Sequence, residues 1–210
     1  MKNEDDILAP VATISRHRIN IDGKGISTLV TFYGCPLRCQ YCLNDYMQQV
    51  PDNVKQISIA ELNKRTEKDY LYYLATGGGV TFGGGEPALR SRFIVAFKQK
   101  YAQDYNVRIE TSLYVPEEHI KNLIPFLDEW IIDIKSLNEG TYQQYTQGFL
   151  SVAYTNLVLL AKQVDPKKIL IRLPLIDNYN TEEDRKQSIV KLKQLGLYRF
   201  DLFTYKHYRQ

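Results

Sequence analysis

ISTLVTFYGCPLRCQYC, residues 26–42, is an apolar run that gives way at a glycine to three closely spaced cysteines. Ile26 to Tyr33 is rich in β-branched and aromatic side chains and reads as a strand. Gly34 to Cys42 then carries every cysteine of the chain on one loop, at C-x3-C-x2-C spacing. An odd number of thiols so close together makes a poor disulfide framework and points to metal binding or redox chemistry. A cubane cluster has four irons, so Cys35, Cys39 and Cys42 as its ligands leave one iron open to a substrate. The alternatives are a Cys3His zinc site and cysteines that are neighbours by coincidence. Zinc needs a fourth ligand, and His17, His119 and His207 all lie outside the usual short spacing.

Working outward from this loop, strand-like and helix-like segments alternate. Ser58, with Glu61 at the capping-box spacing, opens a helical stretch toward Ala75. Val80 to Phe82 reads as a strand, and Phe93, Phe97 and Tyr101 mark a helix with one aromatic stripe. Val107 to Glu110 is a strand, Pro116 begins a helix, Trp130 to Ile134 is a strand, and Ala153 to Gln163 is a helix. Ile169 to Leu173 is a strand, Thr181 starts a helix that ends at Gly196, and Tyr198 to Thr204 is the last strand. Alternation of this kind predicts an α/β protein with a parallel sheet, arranged as a partial (β/α)6 barrel in a single domain over residues 1–210. In such barrels the chemistry sits at the C-terminal ends of the strands.

Polar and glycine-rich segments do fall there. Gly83-Gly84-Gly85-Glu86-Pro87 follows the second strand, and three glycines together point to close backbone approach. Gly77 to Gly79, by contrast, reads as a tight turn. Ile109-Glu110-Thr111-Ser112 ends the third strand, and Asp133 and Lys135, two apart, share a face at the end of the fourth. A solvated ion pair is the plainer account of Asp133 and Lys135, and a surface position the plainer account of Arg172 on the fifth strand.

The aromatic Tyr41 inside C-x3-C-x2-C, the Gly-Gly-Glu-Pro segment, the Glu-Thr and Asp-x-Lys strand ends, and Tyr145-Thr146-Gln147-Gly148 together resemble the radical S-adenosylmethionine superfamily. In order and spacing they are similar to its glycyl-radical-enzyme activating branch, over nearly the whole chain. The resemblance implies a 4Fe–4S cluster on Cys35, Cys39 and Cys42, with S-adenosylmethionine bound beside it. It assigns Tyr41 to the adenine and Gly84, Gly85 and Glu86 to the amino group of the methionine moiety. It adds Cys42, Leu43, Glu110, Asp133, Ile134, Lys135 and Arg172 to the cofactor contacts, and Lys206 where a His is common. A monovalent cation would sit near Glu110, Thr111 and Asp133. The implied activity is reductive cleavage of S-adenosylmethionine to a radical that takes hydrogen from a glycine of a partner glycyl-radical enzyme. Without further cysteines for a ferredoxin-like insert, the electron would come from a separate flavodoxin or ferredoxin. Three positions depart from the branch: Glu110 stands for an Asp, Ser112 for an Asn and Ser27 for an Arg. The competing enzyme readings are a small-molecule enzyme of the carboxy-deazaguanine synthase type and an activating protein of anaerobic ribonucleotide reductase. A cluster carrier without catalysis would not need the Gly83 to Pro87 cradle or Asp133.

Composition narrows the surroundings. With 44% hydrophobic residues in 210, a sizeable core can form. The 27 basic and 24 acidic residues are spread evenly, which argues against nucleic acid as a partner. No apolar run approaches the ~18 residues of a membrane span, and the first residues are acidic rather than signal-like. A cytoplasmic enzyme is the expectation.

Overall fold

A computed structural model describes residues 7–205. Its elements in chain order are β1 (Leu8–Ala9), β2 (Val11–Ile19), β3 (Ile26–Phe32), β4 (Ile57–Ser58), α1 (Ile59–Thr66), α2 (Tyr70–Thr76), β5 (Gly79–Gly84) and α3 (Ser91–Tyr101). There follow β6 (Asn106–Thr111), α4 (Glu117–Leu123), β7 (Glu129–Asp133), α5 (Glu139–Thr146), α6 (Leu150–Gln163), β8 (Ile169–Ile176), α7 (Glu182–Gln194) and β9 (Phe200–Tyr205).

The six strands expected from the sequence pair in parallel in the order β3-β5-β6-β7-β8-β9, and β2 adds an antiparallel edge beside β3. The molecule is therefore a mixed α/β protein whose sheet is open, ending at β2 and β9 among the described residues. Side chains alternate across a strand, and here the two faces differ in kind. Val30, Phe32, Val80, Phe82, Val107, Ile109, Trp130, Ile132 and Ile171 are fully buried in one hydrophobic core. The aromatic stripe of α3 meets this face: Phe93 packs edge-on against Phe32 at 5.7 Å, and Phe97 against Phe82 at 5.8 Å. Each such buried side chain contributes about 1.5–3 kcal/mol, which holds the helical layer to the sheet. The alternating positions on the same strands include the polar Thr31, Thr81, Arg108, Glu110, Asp133 and Arg172. That second face builds the site.

Three local readings are revised. The stretch opened by Ser58 is two helices, because Glu67–Asp69 tightens into a 3-10 turn. Asp69 turns inward there and binds Arg16 at 2.6 and 2.7 Å and His17 at 3.0 Å, tying α2 to the edge strand. Ser58 does accept from Glu61 N, but the Glu61 carboxylate goes to Lys55 and Arg65 instead of closing the capping box. At α7 the box is complete between Thr181 and Asp184. Finally, β2 and α5 are elements that the sequence pattern does not announce.

Candidate functional site

The cysteine loop leaves β3 at Gly34 and is held by hydrogen bonds on both sides. Gly34 N donates to Met47 O at 2.7 Å and Cys35 N to Gln48 O at 3.0 Å. Arg38 N donates to Thr146 O at 2.9 Å and Gln40 N to Tyr145 O at 3.0 Å, so the last turn of α5 grips the backbone on either side of Cys39. The Arg38 guanidinium reaches back to the carbonyls of Cys35 and Leu37 at 2.6 and 2.8 Å. Tyr145-Thr146-Gln147-Gly148 thus has a concrete role, since its first two carbonyls fix the loop. Gly148 then leaves only enough room for Leu37, whose side chain a Cβ would meet at 2.5 Å.

The next strand end is fastened to the same loop. Gly85 N donates to Phe32 O at 2.9 Å and Glu86 N to Gly34 O at 2.8 Å. Gly84 has φ +96°, and a Cβ on Gly85 would lie 2.4 Å from Gly34 O, so neither position accepts a side chain. The close approach expected of these glycines is made to the cysteine loop itself. Glu86 is 1% exposed, and its carboxylate accepts from Thr111 Oγ1 at 2.6 Å, Ser112 Oγ at 2.6 Å, Ser112 N at 2.9 Å and Ala88 N at 3.1 Å. These bonds tie the end of β5 to the end of β6.

A pocket of about 460 Å3 opens over these strand ends, and Cys35, Cys39, Cys42, Tyr41, Leu43, Gly84, Gly85, Glu110, Asp133, Lys135 and Arg172 all line it. Two of the expected cofactor residues stand outside the lining: Glu86, committed as above, and Ile134, which is 1% exposed and whose N–H donates to Arg172 O at 3.0 Å. Lys206 lies outside the described residues. Leu43 sits at the rim, 76% exposed.

Charge in the pocket is paired. Lys135 Nζ lies 3.5 Å from the Asp133 carboxylate, both side chains being largely buried rather than a solvated pair. Arg172 Nη1 donates to Glu110 at 2.8 Å and Nε lies 3.5 Å from Asp201. Burial, with Asp22 and Asp133 nearby, pushes Glu110 up to about 7 against the pull of Arg172. The cation implied near Glu110, Thr111 and Asp133 does not fit this arrangement: Glu110 holds a guanidinium and the Thr111 hydroxyl donates to Glu86. Ser27 accepts from Arg108 Nη1 at 3.2 Å.

Aromatic rings border the loop, and of these the sequence pattern marks Tyr41 and Tyr145. Tyr41 packs on Tyr179 at 5.5 Å, Tyr145 at 6.1 Å and Tyr205 at 6.4 Å, and the Tyr205 hydroxyl donates to Tyr41 O. Tyr179 and Tyr205 carry no motif, and their approach to Tyr41 depends on the tertiary fold.

The donor set fits a cluster. All three thiols are free and partly buried, and all three line the one pocket, as a cubane asks of its ligands with one thiolate on each of three irons. Burial pushes Cys35 up to about 12, with Glu86 adding to it, and Cys39 up to about 11. A bound metal reverses that preference, since a coordinating thiol is deprotonated outright.

Comparison with known proteins agrees with this geometry. The (2S)-3-sulfopropanediol dehydratase activating enzyme of Klebsiella oxytoca is 34% identical over 149 residues, covering 69% of this chain and 46% of that enzyme. The chain therefore spans about half the length of that relative. The pyruvate formate-lyase 2-activating enzyme of Escherichia coli is 26% identical, with 97% and 79% of the two chains covered. SuiB of Streptococcus suis, solved with S-adenosylmethionine, superposes with a TM-score of 0.64 at 12% identity over 86% of this chain and 41% of that one. QueE of Escherichia coli gives 0.53 at 12% identity over 96% of each chain. At such identities the two structures speak for the fold alone. The radical SAM superfamily, however, matches residues 29–198, from within β3 to just short of β9 and including the whole cysteine loop, and the chain belongs to that superfamily.

Proposed function

We propose that this radical SAM enzyme cleaves S-adenosylmethionine at a 4Fe–4S cluster held by Cys35, Cys39 and Cys42, and thereby activates a glycyl-radical enzyme. The observation that carries the reading is the convergence of the three thiols, the Gly84-Gly85 backbone and the Asp133–Lys135 pair on one pocket. Support for the partner class comes from the relatives, which are named as activating enzymes of other enzymes. Once bound, cluster and cofactor supply one-electron cleavage to methionine and a 5′-deoxyadenosyl radical, with the electron drawn from a separate flavodoxin- or ferredoxin-type donor.

The chain's own residues hold and orient. The thiolates bind three irons, and the carbonyls of Tyr145 and Thr146 keep their loop in place. Gly84 and Gly85 offer backbone to the methionine amino group. Glu86 works through Thr111 and Ser112, holding the two strand ends in register, and Ile134 secures β7 to β8. Arg172 and Lys135 face the pocket as cations for a carboxylate, and Asp133 as an anion. Tyr41 and Leu43 border the place of the adenine. Residues 1–210 act as one radical SAM core domain.

The test is anaerobic reconstitution followed by dithionite and S-adenosylmethionine. About four irons and four sulfides per chain and release of 5′-deoxyadenosine are expected. A protein that takes up one zinc and no iron refutes the reading.

A further inference from the structure

Glu86 cannot serve an amino group in the pocket, because its buried carboxylate already accepts from Thr111, Ser112 and Ala88. Asn44, just past Cys42, does line the pocket and reaches Gly84. It caps the 3-10 turn Asp45–Met47, where an Asn side chain ordinarily accepts from a backbone N–H two or three residues on. Here that bond is not made. Only the Asn44 backbone carbonyl serves the turn, accepting from Met47 N at 2.9 Å, while the Asp45 carboxylate takes Tyr46 N at 2.7 Å. The side-chain amide turns to the end of β5 instead, with Nδ2 3.5 Å from Gly84 O. A carbonyl only accepts, so the amide nitrogen faces it, and Oδ1 is left without a hydrogen bond among the described residues. At 3.5 Å the amide is not firmly committed to Gly84 either, since a full N–H···O bond spans about 2.7–3.2 Å.

We propose that Asn44 Oδ1 accepts a hydrogen bond from the amino group of the methionine moiety and, with the Gly84 carbonyl, makes the cradle for that group in place of the Glu86 side chain. The proposal rests on the reading above that the pocket takes S-adenosylmethionine. An amino group carries at least two N–H donors, which two carbonyl oxygens match, one on the segment after Cys42 and one on β5. Gly84, at φ +96° and with no room for a side chain, keeps its own carbonyl at this edge of the pocket. Removing the Asn44 amide leaves one donor of the bound amino group unpaired, a loss that changes binding about tenfold.

Wild type, Asn44→Ala and Asn44→Asp are reconstituted anaerobically and their iron is measured. Equilibrium dialysis then gives the Kd of each for S-adenosylmethionine and for the sulfonium analogue in which hydrogen replaces the amino group. Wild type that takes up no cluster, or holds one and binds no S-adenosylmethionine, refutes the reading of the pocket and this proposal with it. Otherwise the preference for S-adenosylmethionine over the analogue should fall about tenfold in Asn44→Ala, through weaker binding of S-adenosylmethionine alone. Asn44→Asp keeps an acceptor oxygen at the same reach and should hold or raise that preference, and it decides the matter by itself if Asn44→Ala fails to take up iron. An Asn44 that only supports the loop would weaken both ligands alike. An unchanged preference in Asn44→Ala, or a lower one in Asn44→Asp, therefore overturns the proposal.

Discussion

Gly85→Ala adds one methyl group where the end of β5 meets the cysteine loop. The new Cβ would stand 2.4 Å from Gly34 O, 2.9 Å from Gly34 C and 3.1 Å from Phe32 O, all of them backbone atoms that cannot rotate away. The two segments must part by about half an ångström or more, which stretches the 2.9 Å Gly85–Phe32 and 2.8 Å Glu86–Gly34 bonds beyond the usual limit of about 3.2 Å. Overpacking costs about 1–3 kcal/mol and each backbone bond about 1 kcal/mol. A total of about 3 kcal/mol lowers the melting temperature of a chain this size by about 6–12 °C. The control is Gly140→Ala in α5, whose Cβ would meet nothing nearer than Asn138 Oδ1 at 3.5 Å. It should be neutral or stabilising, by up to about 1 kcal/mol. Thermal and urea unfolding of the cluster-free proteins gives both numbers. If Gly85→Ala unfolds with wild type, the fastening of the two loops does not hold as described.

Glu110 gives a pH signature in the same cluster-free protein. Its folded carboxyl sits near 7 against an ordinary 4.5, so between those values the folded state holds a proton that the unfolded state has lost. Stability from this group is therefore complete at low pH and fades as pH rises through 7, by about 1–3 kcal/mol. Urea unfolding at pH 5.5 and 7.5 should show that loss in wild type and much less of it in Glu110→Gln; parallel profiles would contradict it. Cys39, pushed to about 11, should alkylate with iodoacetamide at pH 8 about tenfold more slowly than a free model thiol, and Cys35, pushed to about 12, more slowly still. That figure sets an about 100-fold smaller thiolate fraction against the higher nucleophilicity of a more basic thiolate. Peptide mass spectrometry reads the rates, and unhindered labelling would show that the loop is open to solvent.

The parts of this fold legible in the sequence are those whose local pattern and burial agree. All six parallel strands can be read to within two or three residues at each end, because one apolar face recurs at every second position from Val30 to Ile171. β2 is hidden because Arg16, His17 and Arg18 interrupt it where its register with β3 shifts, with His17 at φ +58°. α5 is hidden because EGTYQQYT has little helix propensity; an Asn138 cap and packing of Tyr142 and Tyr145 hold it. At the site, residue types and spacing bring Cys35, Cys39 and Cys42 into view, and the resemblance to the radical SAM superfamily adds Gly84, Gly85, Asp133 and Lys135. Spacing alone does not show that Glu86 turns inward to Thr111 and Ser112, or that Arg172 holds Glu110. Those directions are set by strand register, which only the assembled sheet supplies.

The activating role is tested most directly by EPR on a partner enzyme. Reconstituted protein, S-adenosylmethionine and a reductant are incubated anaerobically with candidate glycyl-radical enzymes. A stable doublet signal on the partner is expected, lost in Asp133→Asn although iron and sulfide contents match wild type, since Asp133 faces the pocket and ligates no iron. If no partner gains a radical while a pterin-like small molecule accelerates release of 5′-deoxyadenosine, the substrate is that small molecule and the activating role is contradicted.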